Sequence, residues 1–162
     1  FEVLKFAERI ALENGLLKED DSRTLMASDP ALRALLSKHK LVVGSTGNLG
    51  LAVGIMGAAL GMRVTVHTSS NAKQWKKEML TQIGAKVVEH AGDYTEAVRM
   101  GRETASTDPL AHFVDGETSL DLILGYSTAA YEIVRQLEEC QVAISSQHPL
   151  VVHIPSGVGG AS

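Results

Sequence analysis

Leu41-Val42-Val43-Gly44-Ser45-Thr46-Gly47-Asn48-Leu49-Gly50 is the stretch on which the fold turns. Three apolar residues, two of them β-branched, run into a short loop of glycine and hydroxyl side chains, and helical text follows at once. Short β-branched runs suit buried strands, and a helix that starts directly after one opens a β-α-β unit. The same alternation continues outward. Residues 63–67, 86–90, 112–114 and 150–154 are again short and rich in β-branched side chains. Between and around them, residues 48–60, 72–83, 94–106 and 120–139 carry helical text. The expected fold is α/β: a parallel twisted sheet of about four to five strands with helices on both faces.

Toward the N-terminus the pattern changes. In residues 1–14, Val3, Leu4, Phe6, Ala7, Ile10 and Ala11 recur at helical spacing, and Gly15 supplies a left-handed stop. An acidic linker, Glu19-Asp20-Asp21, separates this helix from Ser28-Asp29-Pro30, which reads as the start of a second helix running to about Lys38. Asp93 with Glu96 forms a capping box before the helix over residues 94–106. Gly50, Gly54 and Gly57 fall three to four residues apart and present a smooth strip on one helix face. Each glycine inside a helix costs about 0.5–1 kcal/mol relative to alanine, so such a strip is expected where a neighbouring backbone or side chain approaches closely.

Composition narrows the classes of function. Hydrophobic residues make up 44% of the 162, which suits a globular chain with a real core. A formal net charge of −4 argues against a nucleic-acid binder, which would show a basic face. No run reaches the ~20 apolar residues that span a bilayer, so no membrane partner is expected. The single cysteine, Cys140, has no internal partner and points to a reducing cytoplasm. The six histidines show no metal-ligand spacing, and a core or rim placement within the strands is expected rather than a metal site. Asp93 and Asp115 read as helix-capping carboxylates, and Trp75 as one packed aromatic on an otherwise solvated helix.

Two loops are suspects for chemistry, because ligands of parallel sheets bind at the carboxyl ends of the strands. The first is Gly44–Gly50. The leading N–H groups of the helix behind it lack intrahelical acceptors, the helix dipole adds positive potential, and Ser45, Thr46 and Asn48 add side-chain donors. Such a set suits a carboxylate or a phosphate; equally, an ordinary strand-to-helix turn would use the same side chains as caps. A Walker A loop is excluded because no Gly-Lys-Ser/Thr follows. The second is Ser156-Gly157-Val158-Gly159-Gly160, whose glycines permit consecutive N–H groups to form a nest for phosphate oxygens or simply a turn.

These segments carry a resemblance. Gly44-Ser45-Thr46-Gly47-Asn48-Leu49-Gly50, Gln74-Trp75-Lys76-Lys77, Gly92-Asp93-Tyr94, Leu124-Gly125-Tyr126-Ser127 and Ser156-Gly157-Val158-Gly159-Gly160 resemble, in collinear order, the bacterial-type D-serine dehydratase family of fold-type-II pyridoxal 5′-phosphate (PLP) enzymes. The resemblance implies an ammonia-lyase that turns D-serine into pyruvate and ammonia by β-elimination. It implies that Asn48 meets the ring oxygen of PLP and that Gly157, Gly159 and Gly160 begin a cup for its phosphate. It implies that Ser45, Thr46 and Gly47 hold the substrate carboxylate. The family's Schiff-base lysine would lie just upstream of Phe1, leaving no catalytic residue among these 162 and an isolated chain without activity. Residues 24–130 would form the small α/β domain, and residues 1–23 and 131–162 would be elements of the larger cofactor domain, so that the rest of a longer enzyme and an amino acid substrate are the expected partners. A non-catalytic doubly wound domain binding an anion or a protein partner, or a related PLP enzyme acting on another amino acid, are the competing readings.

Overall fold

In the computed structural model, which describes residues 1–22, 26 and 28–154, helices α1 (Glu2–Glu13) and α2 (Pro30–Leu36) precede an alternating series. It runs β1 (Lys40–Gly44), α3 (Asn48–Ala59), β2 (Arg63–Ser69), α4 (Gln74–Gln82), β3 (Lys86–His90), α5 (Tyr94–Ser106), β4 (Ala111–Val114) and α6 (Leu120–Glu139). The chain divides into two compact units, Glu2–Asp115 and a second made of Phe1 with Gly116–Ser162.

Local chemistry explains the helix ends of the first unit. Gly15 closes α1 at φ +68°, a left-handed conformation that costs glycine little. Asp29 opens α2 by accepting from the N–H groups of Ala31 at 2.8 Å and Leu32 at 3.2 Å, with Pro30 in the first helical position. Asp93 caps α5 by accepting from Glu96 N–H at 3.2 Å; the Glu96 carboxylate engages Arg99 instead of closing a reciprocal box.

Every strand pairing among the described residues is parallel, in the order β3-β2-β1-β4. Leu41, Val42, Val43, Val66 and Val114 are fully buried and form the centre of the core. The glycine strip seats α3 on one face of the sheet: a Cβ on Gly57 would stand 2.5 Å from Val64 Cγ2 and 2.9 Å from Leu41 Cδ1, and one on Gly50 3.1 Å from Val66 Cγ1. The opposite face is covered by α5, where a Cβ on Gly44 would stand 2.4 Å from the Val98 Cα and one on Gly101 3.1 Å from Phe113. Helices therefore cover both faces.

The strand order has a functional consequence. From β1 the chain steps outward to β2 and β3, then returns through α5 to place β4 on the other side of β1. Such a reversal opens a crevice at the carboxyl end of the strand where it occurs. That strand is β1, and the loop leaving it is Ser45–Gly47.

In the second unit, Ser119 caps α6 by accepting from Leu122 N–H at 3.1 Å. Three expectations are corrected here. Residues 150–154 form no strand: they pair with no described segment, and Val151 and Val152 are exposed. β-branched residues favour extended backbone, but a strand exists only where a neighbour supplies the hydrogen bonds. Trp75 is half-exposed rather than packed, its ring lying 5.5 Å from Lys76 Nζ. Asp115 pairs with Arg102 at 3.0 Å, and the cap of α6 falls to Ser119.

Candidate active site

The carboxyl end of β1 gathers Ser45, Thr46, Gly47 and Asn48 into a single turn between the strand and α3. Ser45 is its buried pivot. Its N–H donates to His67 O at 2.8 Å, which keeps the loop in register with β2. Its Oγ accepts from Gly47 N–H at 3.2 Å and from Gly50 N–H at 3.0 Å. Gly50 follows the cap position Gly47 by three, so Ser45 supplies the capping oxygen that Gly47 cannot. A Cβ on Gly50 would lie 3.2 Å from the Ser45 Cβ, so any larger residue would push the first helical turn a few tenths of an ångström from the loop.

What remains open is a set of donors. The N–H groups of Thr46, Asn48 and Leu49 have no acceptor among the described residues. Those of Asn48 and Leu49 belong to the first turn of a twelve-residue helix, where the macrodipole adds positive potential, and that of Thr46 lies just ahead of the cap position. Asn48 is exposed, and its Oδ1 accepts from Lys76 Nζ of α4 at 3.1 Å. Its Nδ2 is left as a further donor. Thr46 is half-buried beside it. A rim made of donors, with a cation at its edge, is suited to an anionic group rich in acceptor oxygens.

The carboxyl end of β2, next to the turn, is polar too. His67, buried on β2, stacks on His90 of β3 with ring centroids 5.2 Å apart, and its Nδ1 lies 2.9 Å from His90 Nε2. Burial, then the neighbouring His90 and Lys86, holds the His67 imidazole below its ordinary pKa of 6.5. His67 Nε2 is buried with no partner among the described residues. Ser69, at the end of β2, donates through its Oγ to Gly92 O at 2.7 Å and ties the ends of β2 and β3 together.

The turn thus unites four of the sequence-derived site residues, Ser45, Thr46, Gly47 and Asn48, while Gly157, Gly159 and Gly160 lie outside the described residues. It also gives two further contributions, of which the sequence reading held the first only in general form, as the leading N–H groups of the helix, and lacked the second. Leu49 offers an unpaired N–H, and Lys76 reaches the turn from another helix. Gln74-Trp75-Lys76-Lys77 carried a signal for the second, since it belongs to the segments of the family resemblance, but nothing local connects it with Asn48.

The sequence model of a family described as pyridoxal-phosphate dependent enzyme matches residues 18–162. The chain belongs to the pyridoxal-phosphate dependent enzyme family. Among curated members, the probable D-serine dehydratase of Bacillus cereus (strain AH187) is 51% identical over 160 residues, which is 99% of this chain and 36% of that protein. The protein of the same name from Pseudomonas paraeruginosa (strain DSM 24068 / PA7) is 52% identical over 160 residues, with the same coverage. The chain therefore spans about a third of the length of these relatives (36%). Among solved structures, holo diaminopropionate ammonia lyase from Escherichia coli matches with a TM-score of 0.70 at 19% identity, over 87% of this chain and 36% of that one. The hydrogen sulfide-producing enzyme Fn1055 from Fusobacterium nucleatum matches with a TM-score of 0.59 at 19% identity, over 88% of this chain and 38% of that one. At that identity the shared property is the α/β fold of this enzyme family.

The donors fit a PLP-type cofactor. Its phosphate and ring oxygens are acceptors, and the mouth of the β1–α3 turn offers three unpaired N–H groups and the Asn48 carboxamide while presenting no carboxylate of its own.

Proposed function

We propose that this chain is part of a PLP-dependent D-serine dehydratase, which converts D-serine into pyruvate and ammonia by β-elimination. One observation carries the reading: a donor-rich turn centred on Asn48 stands at the switch-point strand of a chain half-identical, over nearly its whole length, to proteins named probable D-serine dehydratase. PLP, when bound, supplies the electron sink that makes the α-proton of an amino acid removable. The chain's own residues bind and orient. Asn48 donates through Nδ2 to the cofactor's ring oxygen. The N–H groups of Thr46, Asn48 and Leu49 and the Thr46 hydroxyl receive the substrate carboxylate, with Ser45 and Gly47 shaping the turn. Gly157, Gly159 and Gly160 contribute to the phosphate cup. The covalent attachment of the cofactor belongs to a lysine elsewhere in the enzyme. Residues 24–130 serve as its small domain, and the remaining elements belong with the larger one.

Among the described residues no helix is long and apolar enough to cross a membrane, and the one thiol, Cys140, is free and exposed. A free exposed thiol fits a cytoplasmic enzyme. The test is ammonia release by the whole enzyme from D-serine, L-serine and D-threonine at equal concentration. The highest kcat/KM is expected for D-serine; a preference for L-serine would assign the chain to another activity of the same family.

A further inference from the structure

Lys76 and Asn48 sit on different helices, and their contact is built rather than incidental. A Cβ on Gly54 of α3 would stand 2.6 Å from Leu80 Cδ2 of α4, so the Leu80 side chain packs directly on the α3 backbone and holds the two helices together at that point. The first turn of α4 is then tied to the sheet by Lys77, whose Nζ pairs with Glu89 at 2.7 Å and donates to Ser70 O at 3.2 Å. With α4 held at both places, Lys76 Nζ reaches Asn48 Oδ1 at 3.1 Å.

The chemistry of that contact is directional. An ammonium group only donates, so it selects the oxygen end of the carboxamide. Without such a partner, an exposed asparagine at a helix start can present either end to the loop mouth. With it, Oδ1 is fixed on Lys76, and Nδ2 is the end left to donate. The cation also polarises the amide, strengthening the donor at its other end, because linked hydrogen bonds reinforce one another.

We propose that Lys76 is a positioning residue of the cofactor site: it fixes the Asn48 carboxamide so that Nδ2 meets the ring oxygen of the cofactor. The inference rests on the reading of Asn48 given under the proposed function. Lys76 itself touches neither cofactor nor substrate and acts through Asn48 alone.

The experiment is a double-mutant cycle in the whole enzyme, using Asn48→Ala, Lys76→Met and the pair, with Lys76→Leu as a second variant lacking a donor and Lys76→Arg as the conservative one. The readouts are the affinity of the apo-enzyme for PLP and the visible absorbance band of the bound cofactor, with circular dichroism reporting the fold. Lys76→Met and Lys76→Leu are each expected to weaken PLP binding by about three- to tenfold, the loss of one hydrogen bond's net contribution, and to shift the band. Lys76→Arg, still a donor, is expected to restore both. On the Asn48→Ala background, Lys76→Met is expected to change nothing further, because its effect passes through the missing amide. A full effect of Lys76→Met on that background, or none on the native one while Asn48→Ala is damaging, would overturn the positioning role and leave the Asn48 contact standing. Unchanged affinity and spectrum in Asn48→Ala would overturn the cofactor contact itself and the positioning role with it.

Discussion

His67 Nδ1 lies 2.9 Å from His90 Nε2 across neighbouring parallel strands, with the two rings stacked and His67 almost wholly buried. At most one proton can occupy that contact, and His67 Nε2 has no partner among the described residues to welcome a second. Burial, with no partner for Nε2 among the described residues, therefore favours the neutral form of His67.

A pH dependence of stability follows. Burial and the nearby His90 and Lys86 hold His67 below 6.5 in the folded chain, whereas the unfolded chain returns to that value. The unfolded state then binds more protons as pH falls, so this contribution is intact above about pH 6.5 and is lost below it. His39, lowered chiefly by burial and then by Arg63, acts in the same direction. The urea midpoint of the enzyme is expected to drop between pH 7.5 and 5.5, and His67→Leu is expected to shrink that drop. An equal drop in the variant would show that the acid sensitivity originates elsewhere.

Two glycines are expected to respond oppositely to alanine. At Gly57 a new methyl group meets Val64 Cγ2 at 2.5 Å and Leu41 Cδ1 at 2.9 Å, both in the core. Overpacking of this kind costs about 1–3 kcal/mol, more than the helix propensity that alanine regains. At Gly47 nothing lies within 4 Å of the new Cβ. Gly47→Ala should keep the melting temperature while placing a methyl group on the donor-lined turn, and so lower cofactor or substrate affinity. Thermal unfolding paired with PLP titration of both variants checks the contrast.

Ser45→Ala is expected to damage both stability and binding. The hydroxyl oxygen is the acceptor for Gly47 N–H and for the buried Gly50 N–H. Leaving a buried N–H without a partner costs about 1–3 kcal/mol. The loop loses its pivot at the same time, so PLP affinity should fall together with the unfolding midpoint. A variant with native stability and weakened binding would instead make Ser45 a direct contact of the ligand.

Much of this architecture was legible in the sequence. Short β-branched runs alternating with helical text gave four strands in place, and Gly15, Asp29 and Asp93 marked helix ends that the structure reproduces. The close packing implied by Gly50, Gly54 and Gly57 is present at all three. Properties set by contacts distant along the chain were not legible. Strand order depends on which edge of β1 receives β4, and no local pattern encodes that choice. Residues 150–154 have strand composition without a pairing strand among the described residues. Trp75 has the apolar bulk of a core residue but lies on the exposed side of α4. The residue types alone also offered Ser45, Thr46 and Asn48 as equivalent donors, and the family resemblance assigned Asn48 to the cofactor and Ser45 and Thr46 to the substrate carboxylate. That Ser45 Oγ is turned back into the helix, and that Asn48 is held by a lysine 28 positions away, appears only in the structure.

The most direct measurement is the position of Asn48 in a crystal structure of the whole enzyme with PLP bound. Asn48 Nδ2 is expected within hydrogen-bond distance of the cofactor's ring oxygen, about 2.7–3.2 Å, with Oδ1 still on Lys76 Nζ. A cofactor seated away from the β1–α3 turn, with Asn48 facing solvent, would contradict the assignment of this turn as the PLP site.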